Sequence, residues 1–241
     1  MDRSVYICAA LVYYGHMSAR STLKQDDGSA ARPAPGRPKD LAKRAAILDA
    51  AKQMFTRHGY DGASMDQIAA QAGVSKLTVY SHFGDKESLF AAAVQAHCEQ
   101  QLPDALFQPS PETPLRERLL DIGRAFFAMV TTPEAVAGHR ILCSPQVANS
   151  TLSRAFWEAG PKRIQKVFCH LLERRVAAGQ LQIEDLPRAA SQFFTLLKGE
   201  AHALLVFGCA DPDGKPCVED HVQASVDLFL RAYAPTHGRK R

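Results

Sequence analysis

The sequence predicts an all-α protein with a small N-terminal helical domain and a larger C-terminal one. Three observations support this fold class. From Leu41 onward, apolar residues recur three and four positions apart, which is the spacing of one buried helix face. Serine, aspartate, proline and glycine fall between these segments, where helices begin and end. No stretch of useful length alternates apolar and polar residues as a half-buried strand does.

Length and composition are those of a globular protein. The chain has 241 residues, 46% of them hydrophobic, and a formal net charge of +4. This length can bury the cores of a small domain and a larger one joined together. The modest positive charge permits a nucleic-acid partner without requiring one, because the distribution of charge matters more than its sum.

Residues 1–38 are expected to form a disordered extension followed by a basic arm. The apolar run over 5–15 is too short to span a membrane. Met17 offers an alternative to Met1 as the translation start, and we favour it. The following segment is rich in Ser, Ala, Pro and Gly and carries several cations, which is typical of a flexible arm. Residues 237–241 are expected to form a basic tail.

Residues 39–99 are expected to fold from four helical segments. Gly59 ends the first of them as a left-handed cap. Ser64 and Gln67 have the spacing of a capping box, which starts a second, very short helix. After a turn at Gly73, Ser75 caps a third helix, and Asp85 caps the fourth.

The segment 64–83 has the pattern of a helix-turn-helix. Helices of about two turns are unstable alone in water, but a glycine turn and a longer supporting helix make a stable tri-helical unit. On the third helix, Val79 and Phe83 account for core contacts. The other face carries groups that reach phosphates and base edges, although a merely solvent-facing helix is also polar. These groups belong to Lys76, Leu77, Thr78, Tyr80, Ser81 and His82.

A dense set of short motifs runs at fixed spacing through residues 41–97. They are Ile47-Leu48-Asp49-Ala50-Ala51, Phe55, His58-Gly59-Tyr60, Ser64-Met65-Asp66-Gln67-Ile68-Ala69, Ala72-Gly73-Val74-Ser75-Lys76, Thr78-Val79-Tyr80, His82-Phe83 and Asp85-Lys86-Glu87-Ser88-Leu89-Phe90. This set resembles the TetR/AcrR family of bacterial one-component transcriptional regulators. The resemblance implies a dimer whose N-terminal helix-turn-helix domain binds a palindromic operator, and a C-terminal domain with an inducer pocket and the dimer interface.

Carried over position by position, the resemblance also implies the DNA contacts. Contacts to bases or nearby phosphates are implied for Lys76, Leu77, Thr78 and Ser81, and contacts to the sugar-phosphate backbone for Ser64, Tyr80, His82 and Lys86. The cations Lys39, Lys43 and Arg44 are expected to contact DNA as well. Leu77 departs from the family, which often has a small or polar residue there. A leucine suits either a thymine methyl group or a partly buried filler, and both alternatives stay open.

Residues 100–236 are expected to form the helical ligand-binding and dimerisation domain. Helices are predicted over 115–129, after Pro133, from a first-turn Pro161 to Gly179, and over 186–208 and 217–234. The junction over 157–163 and the exit over 179–181 resemble the AefR-like subgroup. Aromatic and other large side chains form the candidate effector pocket: Phe126, Phe127, Met129, His139, Phe156, Trp157 and Phe168. Apolar residues of the last two helices form the candidate dimer interface: Phe194, Leu197, Ala201, Leu204, Val226, Phe229 and Leu230.

The sequence therefore predicts a regulator and not an enzyme. Its nine histidines and six cysteines show no metal-ligand spacing, and no phosphate-binding loop is present, so no metal or cofactor is expected. The expected partners are palindromic double-stranded DNA, a second copy of the chain and a small hydrophobic effector that relieves repression, with no membrane. We expect the protein in the bacterial cytoplasm, on the nucleoid when bound to DNA. The alternative is the same DNA-binding domain with a cysteine redox switch, at Cys143 or at Cys209 and Cys217.

Overall fold

The computed structural model describes residues 37–108, 113–145, 147–209 and 217–235, and these residues are all-α, as predicted. Most of the predicted arm and the whole basic tail lie outside them, as does the side chain of Lys39. The helices are α1 (Arg37–Gly62), α2 (Met65–Gln71), α3 (Lys76–Phe83), α4 (Lys86–Gln101), α5 (Leu115–Val130), α6 (Pro133–Leu142), α7 (Thr151–Trp157), α8 (Arg163–Ala177), α9 (Leu186–Phe207) and α10 (Val218–Tyr233), with a 3-10 turn at Asp104–Phe107 and a π turn at Glu158–Lys162.

The starts of the short helices agree with the predicted caps. The Ser64 hydroxyl accepts a hydrogen bond from the Gln67 backbone, and the Gln67 side chain accepts one from the Ser64 backbone, at 3.2 and 3.0 Å. Ser75 and Asp85 cap α3 and α4 with one such bond each, accepted from the backbone N–H of Thr78 and of Ser88. Gly59 interrupts regular helix geometry with a φ of 72°, although α1 resumes as far as Gly62. We call α1–α3 with the start of α4, residues 37–86, the N-terminal head.

Helix α4 joins the head to the rest of the molecule. Its Phe90 packs edge-on against Phe55 of α1, with ring centroids 5.4 Å apart. One turn further, Val94 and Cys98 face the π turn, where a Cβ on the buried Gly160 would lie 3.3 Å from Val94 Cγ1. The helix therefore contributes to both halves of one continuous apolar core.

The π turn corrects the prediction for Pro161. This proline was expected in the first turn of a helix, but it lies within the π turn that carries the chain from α7 directly into α8. A proline has no N–H to continue the hydrogen-bond ladder of an α-helix. The wider turn accommodates that gap without ending the helical path.

Burial of His97 on α4 predicts a pH-dependent stability. Burial, with a smaller contribution from Lys52, lowers the pKa of His97 from 6.5 to about 4. Between pH 4 and pH 6.5, His97 is therefore protonated in the unfolded chain but neutral in the folded chain. The contribution of neutral His97 to the free energy of unfolding is complete above pH 6.5. It is lost as the pH falls toward 4, which lowers the free energy of unfolding by on the order of 2–3 kcal/mol.

Urea unfolding of the His97→Gln variant across this pH range measures the effect. The variant is expected to lose less free energy of unfolding than the unsubstituted protein between pH 6.5 and 4.5. His58→Gln removes an exposed histidine of α1 and serves as the control. Equal pH dependence of all three proteins would contradict the assignment.

Two features hold α9 and α10 in place. Gly123 of α5 allows a close approach, because a Cβ there would lie 2.9 Å from Val222 Cγ1 on α10. Gly199, with a φ of 51°, interrupts α9. At this break the ring nitrogen Nε2 of His221 lies 2.8 Å from the carbonyl oxygen of Leu197 and so satisfies it. The outer faces of α9 and α10 remain on the surface.

Candidate nucleic-acid interface and ligand cavity

Helix α3 presents its polar face to solvent. Val79 and Phe83 are buried against the head, as predicted, whereas Lys76, Tyr80 and Ser81 are exposed. The side chain of Leu77 is 79% exposed. This exposure excludes the filler alternative and leaves an apolar tip of the kind that contacts a thymine methyl group.

Internal hydrogen bonds order the polar groups at the start of α3. The hydroxyls of Ser75 and Thr78 lie 2.8 Å apart, and Ser81 donates to the Thr78 carbonyl at 2.8 Å. Lys76 Nζ lies 2.9 Å from a carboxylate oxygen of Asp66 on α2. This partner raises the pKa of Lys76 and keeps it a cation. To contact DNA, Lys76 has to exchange Asp66 for a base edge or a phosphate.

Cations and hydroxyls flank α3 on the neighbouring helices. Lys86, in the first turn of α4, holds its Nζ 4.5 Å from the ring centroid of Tyr60. The guanidinium carbon of Arg44 lies 5.1 Å from the ring centroid of Phe83. Lys43 and Ser64 are exposed on α1 and at the cap of α2. The head thus offers positive charge on both sides of its recognition helix, which suits a nucleic-acid backbone.

His82 has a different environment from the predicted phosphate contact. Its side chain is 12% exposed, and its Nε2 lies 3.0 Å from the carboxylate of Asp40. The ring therefore joins α3 to the first turn of α1. A phosphate contact requires His82 to leave this pair.

An apolar cavity of about 190 Å³ lies between α4 and the helices α5–α9. Five of the seven predicted pocket residues line it: Phe126, Met129, His139, Phe156 and Trp157. The other two lie elsewhere, which corrects the prediction. Phe127 packs against His221, and Phe168 stacks on Phe193 in the fully buried core. Aromatic composition alone does not distinguish a cavity wall from a filled core.

The polar side of this cavity was predicted only in part, through His139. Lys198 and Gln165 contribute to the lining. The ring of His139, in the cavity wall, meets that of His202 edge-on with centroids 4.9 Å apart. Burial lowers the pKa of His139 to about 4 and also lowers those of Lys198 and His202. The one signal in the sequence was a lysine within the apolar pattern of α9.

The predicted dimer residues divide into two groups. Phe194, Leu197, Val226 and Phe229 are buried within the subunit and cannot reach a partner, which corrects their assignment. Ala201 and Leu230 are half-buried, and Leu204 is exposed. The outward surface of the two helices is instead a shallow groove whose walls include Leu196, Leu228 and Ala232. Periodicity identified both helices as apolar, but it did not show which of their apolar residues are buried in the subunit's own core.

An exposed recognition helix in a chain whose C-terminal helices enclose a cavity defines a class of protein: a DNA-binding transcriptional regulator with a C-terminal helical domain. Two family models match the chain. Residues 47–93 match the model described as bacterial regulatory proteins, tetR family. Residues 117–235 match the C-terminal domain of AefR-like transcriptional repressors.

Individual proteins agree with these matches. A TetR-family transcriptional regulator from Mesorhizobium loti superposes with a TM-score of 0.66 at 29% identity, over 82% of this chain and all of that one. The structure of the flavonoid-responsive regulator FrrA gives a TM-score of 0.61 at 35% identity, over 80% of this chain and 98% of that one. The transcriptional activator FasR of Mycolicibacterium smegmatis is 34% identical over 129 residues, which are 48% of this chain and 58% of that protein.

The chain belongs to the TetR family of bacterial regulatory proteins. Its C-terminal domain is of the AefR-like kind. Within the residues that the structure describes, no helix combines the length and apolar character needed to cross a bilayer.

Proposed function

We propose that the protein binds a two-fold-symmetric operator as a homodimer and represses its own or neighbouring genes in the bacterial cytoplasm until a small molecule fills the cavity. The observation that carries the proposal is the position of α4. Its first half packs on the head through Phe90, and its second half contributes Cys98 to the cavity wall. A change in the cavity therefore acts directly on the helix that holds the head.

The surface of α9 and α10 supports pairing with a second copy. Ala224, Leu228 and Ala232 recur every four residues on α10, so they share one face, and all three are exposed. Small residues on either side of a leucine allow another helix to approach closely. A two-fold axis through this face makes a four-helix interface and places two recognition helices about 34–36 Å apart, in successive major grooves.

Ligand control follows from linkage between the cavity and DNA. A ligand that binds the free protein about 100-fold more tightly than the DNA-bound protein weakens DNA binding by the same factor, or about 2.7 kcal/mol. Pivoting of the two heads away from the groove spacing is sufficient to produce that preference. We propose repression rather than activation because the matched C-terminal model is described as that of a repressor.

The redox alternative remains a prediction. Cys143, Cys209 and Cys217 are exposed, whereas Cys98 is buried and its pKa is raised to about 11 by that burial. A switch at the exposed thiols makes operator affinity differ between reductant and oxidant. Measuring DNA binding of the ligand-free protein under both conditions separates this alternative from ligand control.

Selection of bound sequences from a random double-stranded library tests the DNA-binding proposal. The full chain is expected to enrich a palindrome whose half-sites are about one helical turn apart. Lys76→Met is expected to bind DNA with an altered preference at one position of each half-site, because this lysine is proposed to contact a base. Such a contact is worth about 1–3 kcal/mol of discrimination.

The control for this selection is Lys52→Met. Lys52 lies on α1, is ion-paired with Asp49 at 2.9 Å and is not among the proposed DNA contacts. The enriched sequence is expected to stay the same in this variant. Enrichment of no sequence by the unsubstituted chain would refute sequence-specific binding, and an unchanged motif with Lys76→Met would refute the base contact.

A further inference from the structure

Lys198 is a half-buried cation without a carboxylate partner. It lies on α9 in the wall of the cavity. No aspartate or glutamate belongs to the described lining, and within the described part of the chain Lys198 forms no ion pair. Its environment is dry enough for burial to lower the pKa of the ammonium group. A charge withdrawn in part from water is favoured by a partner of opposite sign, and the cavity lining offers Lys198 no carboxylate.

The neighbouring polar groups do not supply that charge. His139 has its pKa lowered to about 4 and is therefore neutral at pH 7. His202 is almost fully buried, and its Nε2 has no hydrogen-bond partner. A neutral imidazole offers one N–H donor and one acceptor. The cluster thus presents one ammonium group and unused hydrogen-bonding capacity at one side of an otherwise apolar space.

The apolar side of the cavity sets the size and shape of a ligand. Aromatic rings of Phe126, Phe156 and Phe194 form its walls, and Trp157, half-exposed, stands at its edge. The volume of about 190 Å³ is somewhat larger than the roughly 150 Å³ of an engineered apolar cavity that holds one benzene ring. One ring with one small substituent fills such a space.

We propose that the cavity binds a monocyclic aromatic carboxylic acid, with the ring between the phenylalanines and the carboxylate on Lys198. A charge-assisted hydrogen bond from the ammonium group is about twice as strong as one between neutral groups. The ammonium group of Lys198 also disfavours cationic ligands, because like charges repel each other. This inference rests on the proposed ligand control and specifies which chemistry exerts it.

Three one-ring probes with an anionic, a neutral and a cationic substituent test the proposal on the full chain: benzoate, benzamide and benzylamine. Trp157 is the single tryptophan, so its fluorescence reports on the edge of the cavity. We expect benzoate to bind at least about tenfold more tightly than benzamide, and benzylamine not to bind. Equal affinity for benzoate and benzamide would overturn the proposal, as would a failure of all three to bind.

Two substitutions at Lys198 assign the charge preference to this residue. Lys198→Met is expected to lower benzoate affinity at least about tenfold while benzamide affinity stays constant, which also shows that the cavity remains folded. Lys198→Arg is expected to retain the preference for the anion. Lys166→Met removes an exposed lysine of α8 and is expected to change neither affinity. Unaltered benzoate binding by Lys198→Met would overturn the role of Lys198. The role would also be overturned if Lys198→Met and Lys198→Arg both failed to bind either probe.

Operator binding separates this inference from the function on which it rests. If benzoate binds through Lys198 and releases the operator, both proposals stand. If benzoate binds through Lys198 but leaves the operator complex intact, ligand control fails while the ligand class stands. If benzoate and benzamide do not differ, the ligand class fails whether or not the protein binds its operator.

Discussion

Leu228→Glu is expected to yield a monomer that binds its operator at least about a hundredfold more weakly. Leu228 is 47% exposed in the groove between α9 and α10, so a glutamate there is tolerated in the isolated subunit. In a two-fold interface the same position lies near its symmetry mate, and two carboxylates are buried together at high cost. A monomer contacts one half-site only and loses the contribution of the second head.

Analytical ultracentrifugation at micromolar concentration measures this effect. The unsubstituted chain is expected to sediment at twice the 26.4 kDa of one subunit, and the variant at 26.4 kDa. Ala177→Glu adds the same charge at an exposed position on α8, and we expect it to stay dimeric. A dimeric Leu228→Glu protein would move the interface away from this groove, and a monomeric unsubstituted chain would refute the dimer itself.

Removal of the backbone contacts in the head is expected to weaken binding to every DNA sequence. Lys86→Ala takes away a cation beside the recognition helix, and Tyr80→Ala takes away an exposed ring and hydroxyl on α3. Phosphate contacts carry little sequence information, so affinity for operator and non-operator DNA falls together, by about tenfold or more. The lysine variant also lowers the slope of log affinity against log salt by about one unit per lysine lost from the interface.

Fluorescence anisotropy with labelled operator and scrambled duplexes, repeated from 50 to about 300 mM salt, provides both quantities. Lys166→Ala changes the charge equally but lies on α8, outside the head, and its salt slope is expected to match the unsubstituted protein. Unchanged operator affinity for Tyr80→Ala would remove α3 from the interface as we describe it. A lysine variant that loses affinity for the operator alone would make Lys86 a base contact.

Local rules were sufficient to predict the head. The caps at Ser64, Ser75 and Asp85 act within one helical turn, so each can be identified from three or four consecutive residues. Helix boundaries in the C-terminal domain also came within a few residues, as for 186–208 against the observed Leu186–Phe207. Such features depend on neighbours in sequence, which the sequence displays directly.

The C-terminal sites depended on information that periodicity does not contain. Phe229 and Leu228 are adjacent, both are apolar and both lie on α10, yet one is buried and the other is half-exposed. Lys198 was missed because the residues that surround it in the cavity, none of them acidic, come mainly from helices that are distant in sequence. His82 was assigned to phosphate because Asp40, forty-two residues earlier, is brought to it only by the fold.

The two halves of this protein are also joined thermodynamically, since one apolar core runs without a break from Ile47 in the head to Phe229 in α10. If the two halves separated at α4, Phe90 would lose its contacts on one side and Val94 on the other. Neither half therefore has a polar surface at this boundary. The subunit is therefore expected to melt cooperatively, in a single transition. A ligand held among α5–α9 then slows amide hydrogen exchange in α1 as well as in its own walls, because any opening of the head that disrupts the shared core also releases the ligand.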